Sequence, residues 1–197
     1  MSKMTKTIAA LGVVAGLGVA ALPLSSYATI VSDSTTVTAQ AIIGEAISVT
    51  ADATDDTVKI ENVTANQEAA TGSTVLTIQT NNTNGYNVTI KDADAVTALT
   101  TDGADADNGI PASNTLTKGT KGWGFKTATS TEGVTVSAAA QAYRAIETGT
   151  QTIASRASDA SVTDGDKIDL TFGVVVDSSI AAGTYSDDVV ITATTNS

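Results

Sequence analysis

The chain has 197 residues, 21 acidic against 10 basic side chains, a formal net charge of −11, and neither histidine nor cysteine. Without those two residue types Ser-His-Asp and Cys-His nucleophiles cannot be assembled, zinc loses its usual nitrogen and sulfur ligands, and no disulfide can brace the fold. An acidic surface is also a poor match for nucleic acid or anionic lipid, so neither is expected as a partner.

Residues 1–28 start with Lys3 and Lys6, run through an apolar stretch from Ile8 to Leu22, and leave through Pro23 and Ser26-Tyr27-Ala28. A basic start, a short apolar run and a small-residue exit mark a cleavable secretory signal peptide, with cleavage expected after Ala28. A membrane anchor is the competing interpretation, but the apolar run is short for a bilayer and is interrupted by glycines. The expected organisation is therefore a signal peptide, 1–28, and one domain, 29–197, with no membrane span after cleavage. A domain of that length can bury on the order of 70% of its unfolded surface, enough for a core. With no cysteine, its stability rests on packing and strand pairing, and a thiol-linked lipid is excluded.

Beyond the leader, apolar and polar residues alternate at period two, as in strands with one buried face. Strands are predicted at Thr35–Ala41, Ala46–Ala51 and Thr57–Val63. A hairpin is predicted from Thr74–Thr80 and Tyr86–Lys91, joined through Asn81–Gly85, where Asn84-Gly85 supply positive-φ positions. Leu76 and Ile78 then face the core beside Tyr86, Val88 and Ile90. An acidic loop, Asp92–Asn114, follows, punctuated by Gly103, Gly109 and Pro111. Further strands are predicted at Gly122–Thr127, Gly133–Val136 and Gln151–Ser155. Ser137–Ile146 is either a short helix, favoured by Ala138-Ala139-Ala140, or a loop that packs Tyr143 and Ile146.

The last two runs are the clearest. Ile168, Leu170, Phe172, Val174 and Val176 share one face; Tyr185, Val189, Ile191 and Ala193 share another, together with Asp187. They are predicted to pair as a long antiparallel hairpin around Ala181-Ala182-Gly183. Eight or nine short strands with no long helical period make an all-β fold, an antiparallel β-sandwich.

The ending Ala182-Gly183-Thr184-Tyr185-Ser186-Asp187-Asp188-Val189-Val190-Ile191-Thr192-Ala193-Thr194 resembles the final strand of bacterial secreted β-sandwich subunits, including spore coat protein U-like pilins and WxL-type cell-surface domains. Thr80-Asn81-Asn82-Thr83-Asn84-Gly85-Tyr86, with Trp123-Gly124-Phe125, is similar to a related group of small, signal-bearing bacterial surface proteins. The resemblance implies an immunoglobulin-like sandwich, secreted or on a bacterial cell surface, serving as a surface or fibre subunit.

Three constellations could carry function. Asp92, Asp94, Asp102, Asp105 and Asp107, with Asn108, cluster their oxygens along one loop, a donor set suited to calcium, and Asp105-x-Asp107-x-Gly109 echoes a calcium turn without the downstream Glu of an EF-hand loop. Apart from Ca2+, no cofactor is expected. Thr35–Ala41 alternates with Val37, Ala39 and Ala41 on one face and is a candidate donor strand for a neighbouring subunit; pairing within its own domain is the alternative. Trp123 is either a core plug, flanked by Gly122 and Gly124, or a carbohydrate-stacking platform alongside Tyr143. The acids lie mainly in turns and on outward faces, so a carboxylate-pair hydrolase is not favoured and no enzyme activity is expected. The expectation is an exported structural or adhesive protein, pilus-like or fibre-forming, that self-associates or joins other surface subunits. The alternative is a surface-displayed binding module for a glycan or host protein, with calcium as a conceivable requirement.

Overall fold

The computed structural model describes residues 40–41, 44–101, 108–158 and 162–197. The chain divides into two units, Met1–Ala41 and Ile42–Ser197. Of the first, only Gln40 and Ala41 are described, and both are exposed. The leader and the expected strand Thr35–Ala41, apart from those two residues, lie outside the described residues. No helix among the described residues is long and apolar enough to cross a membrane.

Among its described residues the second unit is all-β, with the short 3-10 turns Thr54–Asp56 and Ala138–Ala140. Its strands are β1 (Ile47–Ala51), β2 (Ala70–Thr80), β3 (Tyr86–Asp92), β4 (Gly122–Ala128), β5 (Val134–Val136), β6 (Gln151–Arg156), β7 (Val162–Val175) and β8 (Val189–Thr195). They form two four-stranded sheets, ordered β1-β2-β7-β4 and β5-β6-β3-β8, with antiparallel pairing throughout.

Alternation works as the sequence requires. Leu76 and Ile78 of β2, Tyr86, Val88 and Ile90 of β3, and Ile168 and Leu170 of β7 are essentially inaccessible to solvent. Trp123 is a core residue: it stacks on Phe172 with ring centroids 6.2 Å apart, and its Nε1 donates to the Thr97 carbonyl at 2.9 Å. Gly124 next to it is required by crowding, since a Cβ there would stand 2.6 Å from the Arg144 carbonyl oxygen and 2.7 Å from that of Ser113.

Neither predicted hairpin forms. β2 and β3 lie in different sheets, and so do β7 and β8. Each connection carries the chain from one sheet to the other, so the inward faces of successive strands belong to opposite walls of the core. A period-two pattern is identical in both arrangements, because it fixes which face is buried and not which strand lies alongside. The Asn81–Gly85 connection is a corner whose Gly85, at φ 91, brings its Cα against the Arg156 carbonyl. Asn82 is buried there, donating to the Asn196 carbonyl at 2.8 Å and accepting from the Asn84 amide at 2.6 Å.

One further segment differs from expectation, and another takes the loop form of its two expected alternatives. Residues 57–63 form no ladder, although Val58 and Ile60 turn inward and pack on the core; Asn62, at φ 59, ends the extended run. Residues 137–146 contain only the 3-10 turn Ala138–Ala140. A longer helix would need backbone groups that are already engaged: the Ser137 amide donates to Ile153, and the Arg144 amide and carbonyl both pair with Phe125. Ala140 and Ile146 are buried from this loop.

One polar cluster links the sheets. Asp166 of β7 is 1% exposed and accepts from the Tyr86 hydroxyl at 2.5 Å and from Arg156 at 2.7 Å, both on the opposite sheet. Burial and the Asp166 carboxylate together push the Tyr86 hydroxyl well above the ordinary tyrosine range, so it remains a donor. Urea denaturation should show Tyr86→Phe losing about 1–3 kcal/mol, because a carboxylate oxygen loses its donor. Asp166→Ala should lose about 3–5 kcal/mol, because Arg156 loses its buried counter-charge.

Candidate functional site

Two places in the second unit are not explained by core packing. One is a group of carboxylates at the end of β3; the other is a pair of sheet edges.

Asp92 closes β3 and, by the parity of its strand, points inward with Tyr86, Val88 and Ile90. Its amide donates to the Glu147 carbonyl at 2.9 Å. Its Oδ1 accepts from the Asp94 amide at 2.7 Å, and Oδ1 of Asp94 accepts from the Val96 amide at 2.5 Å, so two successive side-chain turns lead the chain off the sheet. Asp187 arrives from the far end of the sequence. It is held between two backbone attachments: Ser186 exchanges both hydrogen bonds with Thr100, at 2.9 and 3.0 Å, and the Asp188 carbonyl accepts from the Ala93 amide at 3.0 Å.

One carboxylate oxygen from each of Asp92, Asp94 and Asp187 lies within 4.8 Å of the other two. Asp92 is 1% exposed, Asp187 is half-buried and Asp94 is open to solvent. Among the described residues no lysine or arginine forms an ion pair with any of them. Burial, followed by the neighbouring charge of Asp92, pushes the Asp187 carboxyl up to about 7. Burial also raises Asp92, against the lowering effect of the Asp94 amide. An all-oxygen donor set of this kind suits protons or hard cations.

Of the residues singled out from sequence, Asp92 and Asp94 are therefore brought together. Asp102, Asp105 and Asp107 lie outside the described residues, and Asn108 is exposed. The base of that loop is closed by Leu99 and Ile110, which exchange hydrogen bonds at 2.9 and 3.0 Å. Sequence reasoning did not select Asp187 as a ligand, although its position among Tyr185, Val189 and Ile191 on an inward face was the signal. Val37 and Ala39 lie outside the described residues, and Ala41 is exposed.

The sheet edges are unequal. The outer side of β4 is covered: Ser113 donates to the Trp123 carbonyl, Trp123 to the Pro111 carbonyl, and Phe125 pairs with Arg144. β5 is an edge of only three residues. On the opposite side of the sandwich β1 and β8 approach each other, and among the described residues β1 pairs with β2 alone and β8 with β3 alone. Neither strand contains a charged residue or a proline. Their inward residues, Ile47, Val49 and Ala51 on β1 and Val189, Ile191 and Ala193 on β8, are only partly buried. The customary protections of an edge, lysine, proline or brevity, are missing from β8.

No family model matches the chain, and no curated protein and no solved structure matches it.

The raised Asp187 gives a signed expectation for stability. Its carboxyl loses its proton near 3.9 in the unfolded chain and near 7 in the folded one, so between those values the folded state binds more protons. In a chelating buffer, the stability that protonated Asp187 contributes should be complete below about pH 4 and lost as pH rises through about 7. Thermal melts of wild type and Asp187→Asn across pH 4–8 should therefore diverge, with the variant gaining relative to wild type as pH rises; parallel curves would show that Asp187 ionises as in the unfolded chain.

Proposed function

We propose that this protein is an exported structural subunit that assembles at a cell surface by strand addition, the exposed edge between β1 and β8 receiving an extended segment from another copy. The single observation that carries this reading is that edge: two uncharged strands, each paired on one side only among the described residues, with half-covered apolar side chains between them. Such an edge offers main-chain donors and acceptors for affinity and a row of alternate apolar sites for register.

Topology supports it. An immunoglobulin constant-type sandwich has sheets ABED and CFG. Here β1-β2-β7-β4 follows the order A-B-E-D, and β3-β8 follows C-F. The β5–β6 pair extends the second sheet on the far side of β3. On the near side β8 occupies the place of strand F, and among the described residues nothing stands where strand G would lie. A G strand runs along F at the edge nearest A, which is the space between β8 and β1.

The donor we favour is residues 35–41 of a neighbouring copy, with Val37, Ala39 and Ala41 as the side chains entering the edge. The segment is short, uncharged and alternating, and it lies beyond the expected cleavage point after Ala28. The same segment folding back onto its own domain is the competing arrangement. In this reading the signal peptide delivers the chain outside the cytoplasm, where subunits meet.

The decisive comparison is the mature chain, 29–197, against a version lacking Thr29–Gln40. Light scattering and negative-stain electron microscopy should show concentration-dependent oligomers or filaments for the first and monomers for the second. Circular dichroism of the shortened chain should stay β-rich. A mature chain that remains monomeric at tens of micromolar, or a deletion that abolishes the fold, would contradict assembly by exchange.

A further inference from the structure

Among the described residues, carboxylates with enclosed oxygens fall into two kinds. Asp166 has both oxygens engaged, one by the Tyr86 hydroxyl and one by Arg156. Asp92 is equally buried, yet only its Oδ1 has a donor; Oδ2 is enclosed and receives no hydrogen bond. Oδ2 of Asp187 is enclosed and without a donor as well. A buried carboxylate oxygen with no donor carries an uncompensated desolvation cost, and a second carboxylate beside it adds repulsion. Elsewhere in the same core such an oxygen is matched by a hydroxyl or a guanidinium. Here one carboxylate oxygen of each residue lies within 4.8 Å of one from the other and of one from Asp94.

We infer that Asp92, Asp94 and Asp187 form a binding site for one hard divalent cation, calcium, at the junction of the β3 end and the β7–β8 crossover. The three ligand oxygens lie within 4.8 Å of one another, no farther apart than the diameter of a coordination shell of radius about 2.4 Å, the calcium–oxygen distance, so each pair can be bridged by one ion. Calcium also accepts the irregular, partly hydrated shell that three carboxylates leave, whereas magnesium demands a near-ideal octahedron. The exposed side of Asp94 gives the ion an entry path and room for the water ligands that complete its shell. One ion would offset two of the group's three negative charges and reinforce the joint between the turn at residues 92–96 and the strand entry at residues 186–188, which the Ala93 amide and the Asp188 carbonyl already tie together. The site does not depend on strand addition, and its test reads metal binding with no assembly step.

Calorimetry and thermal melts of the mature chain with CaCl2, after passage over a chelating resin, test it. Saturable heat with one ion per chain is expected, with an affinity on the order of 10⁻⁵ to 10⁻³ M and a melting temperature that rises by about 3–5 °C for each tenfold excess over the dissociation constant. Asp187→Asn should abolish the calcium-dependent rise while melting no lower than wild type in chelator at pH 8, because one member of a repelling group has been removed. Asp94→Asn, exposed and therefore harmless to folding, should weaken calcium binding at least tenfold. Absence of heat and of any shift would overturn the site, as would a calcium response that survives both Asp187→Asn and Asp94→Asn, since the ion would then sit elsewhere on the chain.

Discussion

A strand does not select its buried side chains one at a time; alternate residues go inward together, whatever their chemistry. Asp92 is thus carried inward with Tyr86, Val88 and Ile90, Asp166 with Ile168 and Leu170, and Asp187 with Tyr185, Val189 and Ile191. The chain has no disulfide with which to hold its sheets, so apolar packing and the treatment of these three acids decide how the sheets meet. Asp166 is satisfied from across the core and becomes a tie between the sheets. Asp92 and Asp187, at the end of the same interior, meet each other and Asp94 and are left with enclosed oxygens that no donor reaches. Asp166 is structural because its partners are present; the enclosed oxygens of Asp92 and Asp187 are what the proposed cation would match.

The same strand rule shapes the edges. β4 needs no further partner, because the segments around Pro111–Ser113 and Arg144 take up its outer backbone groups and cover Trp123 and Phe125. β1 and β8 show the converse, with inward residues half covered and an outer side that bears no charge. Asp187 stands two residues before β8, so whatever holds its carboxylate also fixes where this edge strand begins. The proposed cation site and the proposed assembly edge are thereby adjacent in the chain while resting on separate observations.

Burial was readable from the sequence to a degree that pairing was not. The inward sets of β2, β3, β7 and β8 follow directly from period two, whereas Trp123 between its two glycines was open to two readings, of which the core plug is the one the structure shows. The hairpins failed because the pattern Thr74–Thr80 followed by Tyr86–Lys91 reads the same whether the strands are neighbours or face one another across the core. Of the two forms open to 137–146, the loop wins over the helix because local alanine propensity is outweighed by backbone pairing with Phe125 and Ile153, contacts invisible at short range. The acidic group was half readable: Asp92 and Asp94 stand together in sequence, but their third member comes from the opposite end of the chain. What could have flagged it is an acid at an apolar parity position, a stronger signal than acids clustered in a loop.

The most direct test of these ideas is a crystal structure of the mature chain grown in calcium. It should show β2 and β3 in opposite sheets, Asp166 bridged by Tyr86 and Arg156, and a single ion bound by Asp92, Asp94 and Asp187 at oxygen distances of about 2.3–2.6 Å. Asp92 and Asp187 turned outward into solvent, or each matched by a basic side chain with no ion between them, would contradict it.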